Sequence, residues 1–350
     1  ATDHEELIKK FEAKHGKHIY RRKGGKFHLD PLCGADVKAT CKEAKFSAGG
    51  LDQWSTQDFA ILSDEAYEWL ACMFNEIEKG ASWPEPTLHA KGSYLLKKPE
   101  DRGEPLGYRV LFVTSVCYRR WAATRLRQSR DWIDEWSTNA MFAGIAGMSA
   151  EEAWYSTAIQ TERAKLLGHP VTGASVDIHK CFDQLVREHV YHVLEEAGCP
   201  EPLLVAYKGF LENRVVHNFV NGHVGVGHHH RCGIPQGCPL SMPFASLLLR
   251  PWAQLVKEHG CKPRSLADDL LIVAEGEGHA KKLSLALDAT LTFLSDMGGK
   301  VAPSKSLVFS TCARTRSWLS RKFWKPIGGG IRVAHHFRDL GTHQNLTFMA

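Results

Sequence analysis

The chain has 350 residues, of which 43% are hydrophobic and 24% are charged, and it carries a net charge of +5 at pH 7. This composition excludes a disordered or low-complexity protein, and the length allows two subdomains with sizeable cores. We find neither a signal peptide nor an apolar run long enough to cross a bilayer, so we expect no membrane partner and no secretion.

The predicted elements begin with a basic extension over residues 1–80, which carries two helices. The first helix is short and covers residues 5–14. The second is amphipathic and covers residues 63–79, where Ser63 is suited to begin it and Gly80 to end it.

A strand at residues 93–97 and a helix at 114–127 are predicted next, in a part of the chain that is rich in basic residues. Ten of them lie between Lys91 and Arg130, against four acidic residues up to Asp131. Aromatic residues are interleaved with these cations. Both features suit contacts with nucleic-acid phosphates, bases and sugars, although any single cation here could instead lie on a solvated helix face.

Asp177 lies where a predicted strand ends, between the apolar residues Val176 and Ile178. From Phe182 to Leu194 the apolar residues follow the spacing of one helix face, and Gly198 provides a stop. Asp177 is therefore predicted at the end of a buried strand that leads into a helix.

A glycine- and proline-containing loop at residues 231–241 follows a predicted strand at 215–220. Gly233 and Gly237 would let the backbone approach a ligand closely, which suits contact with a nucleotide or a base pair. Such loops are common before helices, so the pattern is weak by itself. The His228–His230 run just before it is predicted at a turn between two strands.

Asp268 and Asp269 lie side by side in an otherwise apolar segment, residues 265–274. The apolar flanks predict two short buried strands with the aspartate pair at the tight turn between them. Adjacent carboxylates repel each other and lose hydration on burial, so a divalent cation such as Mg²⁺ would stabilise them. A solvated Asp-Asp turn is the alternative. Strand-end carboxylates at 177 and at 268–269 can meet in one sheet and hold two metal ions for phosphoryl chemistry.

The order of these three segments resembles the reverse transcriptase family, most closely its non-LTR (LINE-type) retrotransposon and group II intron members. Residues 176–183, 233–241 and 266–269 are similar to motifs A, B and C of the palm. Tyr94–Pro99 with Tyr108–Arg109 resembles the fingers motifs, Gly299–Lys305 resembles the motif D loop, and Phe337–Gly341 resembles the hairpin that supports the primer end. The resemblance covers roughly residues 85–345.

The resemblance implies an α+β fold with right-hand polymerase fingers and palm, in which helices pack on one face of an antiparallel palm sheet. It implies fingers at 81–172 and a palm at 173–350, with an inserted fingers segment at 203–226 and almost no chain for a thumb. These boundaries are expectations.

The resemblance also implies a role for each matched residue. Asp177, Asp268 and Asp269 would bind two Mg²⁺ ions, with Mn²⁺ as a substitute, and catalyse nucleotidyl transfer from deoxynucleoside triphosphates to a primer 3′-hydroxyl. A second group would bind the nucleotide and the template–primer: Lys98, Arg109, Ile178, Phe182, Gln236, Gly237 and Lys305.

Two of these assignments have an alternative without a functional role. Phe182 matches an aromatic residue that would exclude a 2′-hydroxyl, or it is a core residue of its helix. Lys305 matches a candidate general acid near the pyrophosphate, or it is a solvated lysine. The chain departs from the family pattern at Leu266, where an aromatic residue is common, at Val110, where proline is usual, and at Pro251, which should kink or end its helix.

The sequence therefore predicts an RNA-directed DNA polymerase of a retroelement, with an RNA template, a DNA primer and deoxynucleoside triphosphates as partners. The alternative is an inactive or maturase-like RNA-binding protein that keeps the reverse transcriptase fold. Ten cysteines without metal-finger spacing suggest a reducing compartment, so we expect a nuclear or cytoplasmic ribonucleoprotein.

Overall fold

A computed structural model of the protein describes residues 2–104 and 107–346, and these form a mixed α+β fold. The helices are α1 (Thr2–His15), α2 (Gly34–Lys42), α3 (Thr56–Ala60), α4 (Asp64–Glu78), α5 (Glu85–Leu88), α6 (Val116–Gln128), α7 (Arg130–Trp136), α8 (Ala150–Leu166), α9 (Cys181–Gln184), α10 (Arg187–Glu196), α11 (Glu201–Asn213), α12 (Ser241–Glu258), α13 (His279–Asp296) and α14 (Ala313–Leu319).

The strands are β1 (His89–Leu96), β2 (Tyr108–Val113), β3 (Val171–His179), β4 (Val215–Val220), β5 (His223–His229), β6 (Lys262–Leu266), β7 (Asp269–Glu275), β8 (Lys300–Val301), β9 (Leu307–Ser310), β10 (Arg332–Ala334), β11 (His336–Asp339) and β12 (Thr342–Asn345). They form a six-stranded sheet, a four-stranded sheet and a separate hairpin.

The chain divides into two compact units. The first contains Ala1–Arg21, Ile133–Val193 and Pro243–Ala350, and the second contains Arg22–Trp132 and Leu194–Met242. The six-stranded sheet and the hairpin belong to the first unit, and the four-stranded sheet belongs to the second.

The six-stranded sheet of the first unit has β3 near its centre. Its order is β10-β9-β3-β7-β6, and β8 adds to the end of β3. Strand β3 runs antiparallel to both β7 and β9, whereas β9 and β10 are parallel. The sheet is therefore mixed, and the expectation of a wholly antiparallel sheet is wrong at this edge.

Apolar side chains fill the core on this sheet. Helix α13 packs against β3 and β7, and its buried leucines follow helical spacing. A second cluster joins Ala164 of α8 to Leu271, Phe309 and Phe337. Gly173 of β3 lies under the Phe309 ring. A Cβ atom at position 173 would come within 2.3 Å of that ring, so a larger residue there would displace Phe309.

The β11–β12 hairpin is antiparallel and turns at Leu340 and Gly341. Its side chains alternate, so Phe337 and Asp339 are buried while His336 and Arg338 are exposed. Phe337 stacks on Phe309 with ring centroids 5.0 Å apart, which packs one face of the hairpin onto the core.

The four-stranded sheet of the second unit has the order β2-β1-β4-β5. Helix α4 packs against α2 and α11. A buried ion pair joins Glu78 of α4 to Arg125 of α6, and the indole of Trp121 donates a further hydrogen bond to Glu78 at 2.7 Å.

Several predicted elements are confirmed. Ser63 precedes α4, and its hydroxyl accepts a hydrogen bond from the Ala66 N–H. Strand β4 has the predicted bounds, and Gly198 adopts the left-handed conformation expected of a helix stop.

Two predictions about elements are wrong. The single helix expected from Phe182 is broken at residues 185–186 into α9 and α10. The His228–His230 run does not form a turn, because β5 extends to His229 and the β4–β5 turn lies at residues 221–222. At Pro251, where a kink or an end of the helix is predicted, helix α12 does not end but continues.

Within the described ranges, no helix combines the length and the apolar character needed to cross a membrane.

Candidate active site

The turn between β6 and β7 consists of Ala267 and Asp268, so only the first aspartate of the predicted pair lies in the turn. Leu266 and Asp269 are register partners, so Asp269 is the first residue of β7. Ala267 has φ +54°, at the turn position where glycine is favoured in two-residue hairpins. A non-glycine residue in this conformation is strained, as is frequent at functional sites.

Asp177 lies in β3 directly opposite Asp269 of β7, so these two side chains are neighbours on the same face of the sheet. The Asp177 N–H donates to the Ser306 hydroxyl at 3.2 Å, and its carbonyl accepts from the Ala302 N–H at 2.9 Å. The backbone of Asp177 is thus held on both sides by the segment that precedes β9.

Several ionisable side chains lie close to these carboxylates and affect one another's pKa. Burial raises the pKa of Asp269 from its ordinary 3.8 to about 6; Arg264 opposes this rise, while Asp339, Asp268 and Asp177 add to it. Burial also raises the pKa of Cys181 to about 12, with smaller contributions from Asp268 and Asp177. The site therefore disfavours further negative charge and favours a cation.

Lys305 lies in the loop before β9, and its ammonium nitrogen is 3.5 Å from the Asp177 carboxylate. The side chain is 66% exposed, so the pair is weak and the ammonium is free to contact solvent or a ligand. Lys305 therefore lies beside Asp177, and its contact with the pyrophosphate stays a prediction.

The donor set fits a hard divalent cation, because carboxylate oxygens are the ligands that Mg²⁺ prefers. Burial is the main cause of the raised pKa of Asp269, and the neighbouring carboxylates of Asp339, Asp268 and Asp177 add to it. In the described part of the chain, no three His, Cys, Asp or Glu side chains are already grouped as a metal centre.

Ile178 and Phe182 follow Asp177 in the same unit. Ile178 is only 1% exposed, so its side chain belongs to the core. Its N–H donates to the Asp268 carbonyl at 3.4 Å. Phe182 lies in α9 and is half-buried, which leaves part of its ring accessible.

Lys98 and Arg109 lie on the β1–β2 hairpin of the second unit. Arg109 pairs with Leu95, three residues before Lys98, and both cations are exposed. Two exposed cations on one hairpin can share a polyphosphate, for which arginine offers bidentate geometry.

Gln236 and Gly237 lie in the turn that precedes α12. Gln236 is half-buried and Gly237 is exposed. A Cβ atom on Gly237 would be 3.8 Å from the Phe112 carbonyl of β2, so the local fold has room for a side chain there. Gly233 has φ +82°, a backbone conformation that residues other than glycine rarely adopt.

Sequence reasoning missed a buried ion pair beside the carboxylates. Arg264 of β6 forms two hydrogen bonds with Asp339 of β11, at 2.7 and 2.5 Å. The available signal was a lone arginine at the start of an apolar segment, which indicates a buried partner. The partner lies 75 residues away in sequence, and no local pattern identifies it.

Comparison with known proteins agrees with this geometry. Residues 96–343 match the model of the family described as reverse transcriptase (RNA-dependent DNA polymerase). The matched segment contains all three aspartates and the ion-paired Arg264 and Asp339.

The chain is also similar to a 115 kDa protein in the type-1 retrotransposable element R1DM of Drosophila melanogaster. The two are 26% identical over 250 residues, which cover 69% of this chain and 23% of the relative. The chain thus spans about a quarter of the length of that relative. Because the family model matches well over half of its residues, the chain belongs to the reverse transcriptase family.

Proposed function

We propose that the protein is an RNA-directed DNA polymerase that adds deoxynucleotides to a primer 3′-hydroxyl by two-metal-ion nucleotidyl transfer. The observation that carries this proposal is the register pairing of Asp177 with Asp269, beside the Asp268 turn, in a chain of the reverse transcriptase family. Opposed carboxylates on neighbouring strands are the arrangement that a shared pair of cations requires.

In this proposal Asp177, Asp268 and Asp269 hold Mg²⁺, which Mn²⁺ can replace. When bound, the ions supply a polarised 3′-hydroxyl and neutralise charge on the departing pyrophosphate. Lys305 is suited to give a proton or a hydrogen bond to the pyrophosphate, because its exposed ammonium group lies next to Asp177.

The remaining predicted residues bind the substrate. Lys98 and Arg109 contact the triphosphate, Gln236 and Gly237 contact the nucleotide and template base, and the backbone of Ile178 lies along the nucleotide. The half-buried ring of Phe182 excludes a 2′-hydroxyl and so favours deoxynucleotides.

We assign the right-hand polymerase names on the same basis. The six-stranded sheet with the aspartates is the palm, within the predicted 173–350, and the four-stranded sheet belongs to the fingers, predicted at 81–172 with an insertion at 203–226. Support comes from the separation of the two sheets into different compact units.

RNA template, DNA primer and deoxynucleoside triphosphates are the proposed partners, and a retrotransposon of the R1 type is the proposed source of the activity. All ten cysteines are free thiols, which supports a reducing, nuclear or cytoplasmic location.

Primer extension on poly(rA)/oligo(dT) tests the activity. We expect incorporation of dTTP that requires Mg²⁺ or Mn²⁺. Asp268→Ala should reduce it at least about a thousandfold, because a metal-binding carboxylate is lost, while template–primer affinity stays within a few-fold. Asp134→Ala, at an exposed aspartate of the same unit, is the matched control.

Two results would contradict the proposal. A wild-type protein that binds RNA but incorporates no nucleotide with either metal would favour the alternative of an inactive or maturase-like RNA-binding protein. Full activity in the Asp268→Ala variant would remove this residue from the catalytic group.

A further inference from the structure

Arg264 and Asp339 form a buried ion pair beside the carboxylates. Their side chains are 5% and 1% exposed, and the guanidinium binds both carboxylate oxygens. Such a pair is costly to bury and stays favourable only with good geometry and further hydrogen bonds. Arg264 makes such a bond to the Thr157 hydroxyl, at 2.9 Å.

These contacts connect three elements. Arg264 belongs to β6, Thr157 to α8, and Asp339 to β11. Strand β6 continues from Arg264 directly into the Ala267–Asp268 turn, with Leu266 paired to Asp269. Hydrogen bonds therefore connect the strand that leads into the Ala267–Asp268 turn with the β11–β12 hairpin.

Asp339 is also the residue at which the hairpin turns. It pairs with Thr342 across the two turn residues, Leu340 and Gly341, whose φ angles are +47° and +92°. Leucine is strained in this conformation, so the tip needs support from its surroundings. The ion pair with Arg264 provides it on the buried face.

The opposite face of the hairpin is exposed and polar. His336 and His343 have ring centroids 4.9 Å apart, and Arg338 is the register partner of His343 on the same face. A face of one arginine and two imidazoles suits a nucleic-acid strand. The buried face thus holds the hairpin while the exposed face is left for a ligand.

We propose that Arg264 is a positioning residue: through its bidentate pair with Asp339 it holds the tip of the β11–β12 hairpin in register with the Asp268–Asp269 turn, so that a primer strand on the hairpin's exposed face is aligned with the reacting carboxylates. This inference rests on the proposed polymerase function. Arg264 does not touch substrate; it acts through the hairpin.

Replacing Arg264 should affect alignment of the primer 3′-hydroxyl but not binding of the template–primer. The exposed face that contacts the primer is unchanged when Arg264 is replaced, so affinity for template–primer should change little. Alignment of the 3′-hydroxyl should change, and a displacement of about 1 Å can lower a rate by about a hundredfold.

Two variants test it. Arg264→Lys keeps the charge but cannot bind both Asp339 oxygens and Thr157 together. The double variant Arg264→Met with Asp339→Leu replaces the pair by apolar side chains of similar volume, a change that buried pairs often tolerate without loss of stability. Glu78→Leu with Arg125→Met, at the buried pair of the other unit, is the matched control.

We would measure single-turnover incorporation per active site, template–primer Kd, and hydrogen exchange of residues 336–345. Both Arg264 variants should incorporate at least about tenfold more slowly, with Kd changed less than about threefold and faster exchange in the hairpin. The control pair should leave incorporation per folded molecule and hairpin exchange unchanged.

Wild-type rates and wild-type hairpin exchange in the double variant would overturn the inference, since the pair would then only fill space. If the wild-type protein itself incorporates nothing, the polymerase proposal fails. Hydrogen exchange would still decide whether Arg264 holds the hairpin, so the two failures are distinguishable.

Discussion

At the residue scale, burial and ionisation oppose each other at Asp269. Its carboxyl group begins a buried strand opposite Asp177, and its pKa is raised to about 6, chiefly by burial. A raised pKa means that the folded protein binds the proton more tightly than the unfolded chain does. The ionised carboxylate therefore destabilises the fold, increasingly between pH 3.8 and about 6 and fully above that.

Asp269→Asn should remove this penalty in metal-free protein. We expect the variant to be more stable than wild type by about 2 kcal/mol at pH 7.5, because two pKa units correspond to about that energy after allowance for partial exposure. At pH 4 the two proteins should unfold at nearly the same temperature.

Thermal unfolding in EDTA at both pH values measures this, with Asp134→Asn as an exposed control. Equal stabilisation at pH 4 and pH 7.5 would mean that the effect does not come from titration of Asp269.

At the element scale, the β11–β12 turn combines a required glycine with a strained leucine. Gly341 has φ +92°, a conformation that glycine adopts readily. Leu340 has φ +47°, which costs a residue with a side chain about 1–2 kcal/mol in steric strain. The strain lies one residue from the buried Asp339. The hairpin therefore keeps its shape through tertiary contacts rather than through turn propensity.

Leu340→Gly should relieve that cost, and Leu340→Ala should not, because alanine keeps the Cβ atom. Both variants lose the same packing of the leucine side chain. We expect the glycine variant to be more stable than the alanine variant by about 1 kcal/mol in urea unfolding. An alanine variant of equal or greater stability would show that the turn is not strained.

At the scale of the whole molecule, the basic residues between Lys91 and Arg130 have different roles. Arg125 is 1% exposed and forms an ion pair with Glu78, while Arg119 and Arg120 donate to backbone carbonyls. Burial lowers the pKa of both Arg119 and Arg120. The expectation of phosphate contacts is therefore wrong for the buried Arg125, and Arg119 and Arg120 already use donors within the protein.

Lys98 and Arg109 remain exposed, so they should contribute to binding of single-stranded RNA. Lys98→Gln and Arg109→Gln should each weaken binding and reduce the slope of log K against log salt by about 0.7, the value for one lost phosphate contact. Anisotropy titrations over a range of salt concentrations give this slope.

Lys79→Gln is the control, because Lys79 is exposed but paired with Glu76 at 2.7 Å. An unchanged slope in both the Lys98 and Arg109 variants would exclude these residues from phosphate binding.

Local sequence was sufficient to predict many of the helices and strands and to identify the aspartates. Ser63 and Gly80 bound α4 because capping chemistry is local, and the apolar residues on either side of the aspartate pair located the two strands around Asp268. Conversely, helical periodicity continued across residues 185–186, where the chain is not helical, because the apolar pattern does not record a break that tertiary packing imposes.

The sequence by itself determined the family, the three carboxylates and the strand–turn–strand around two of them, since these depend on residue type and short spacing. Only the tertiary structure decided that Asp177 pairs in register with Asp269, that Lys305 lies beside Asp177, and that Arg264 binds Asp339. These contacts join residues 75 to 128 positions apart along the chain. Strand register and burial set them, and both are properties of the assembled sheet rather than of any local segment.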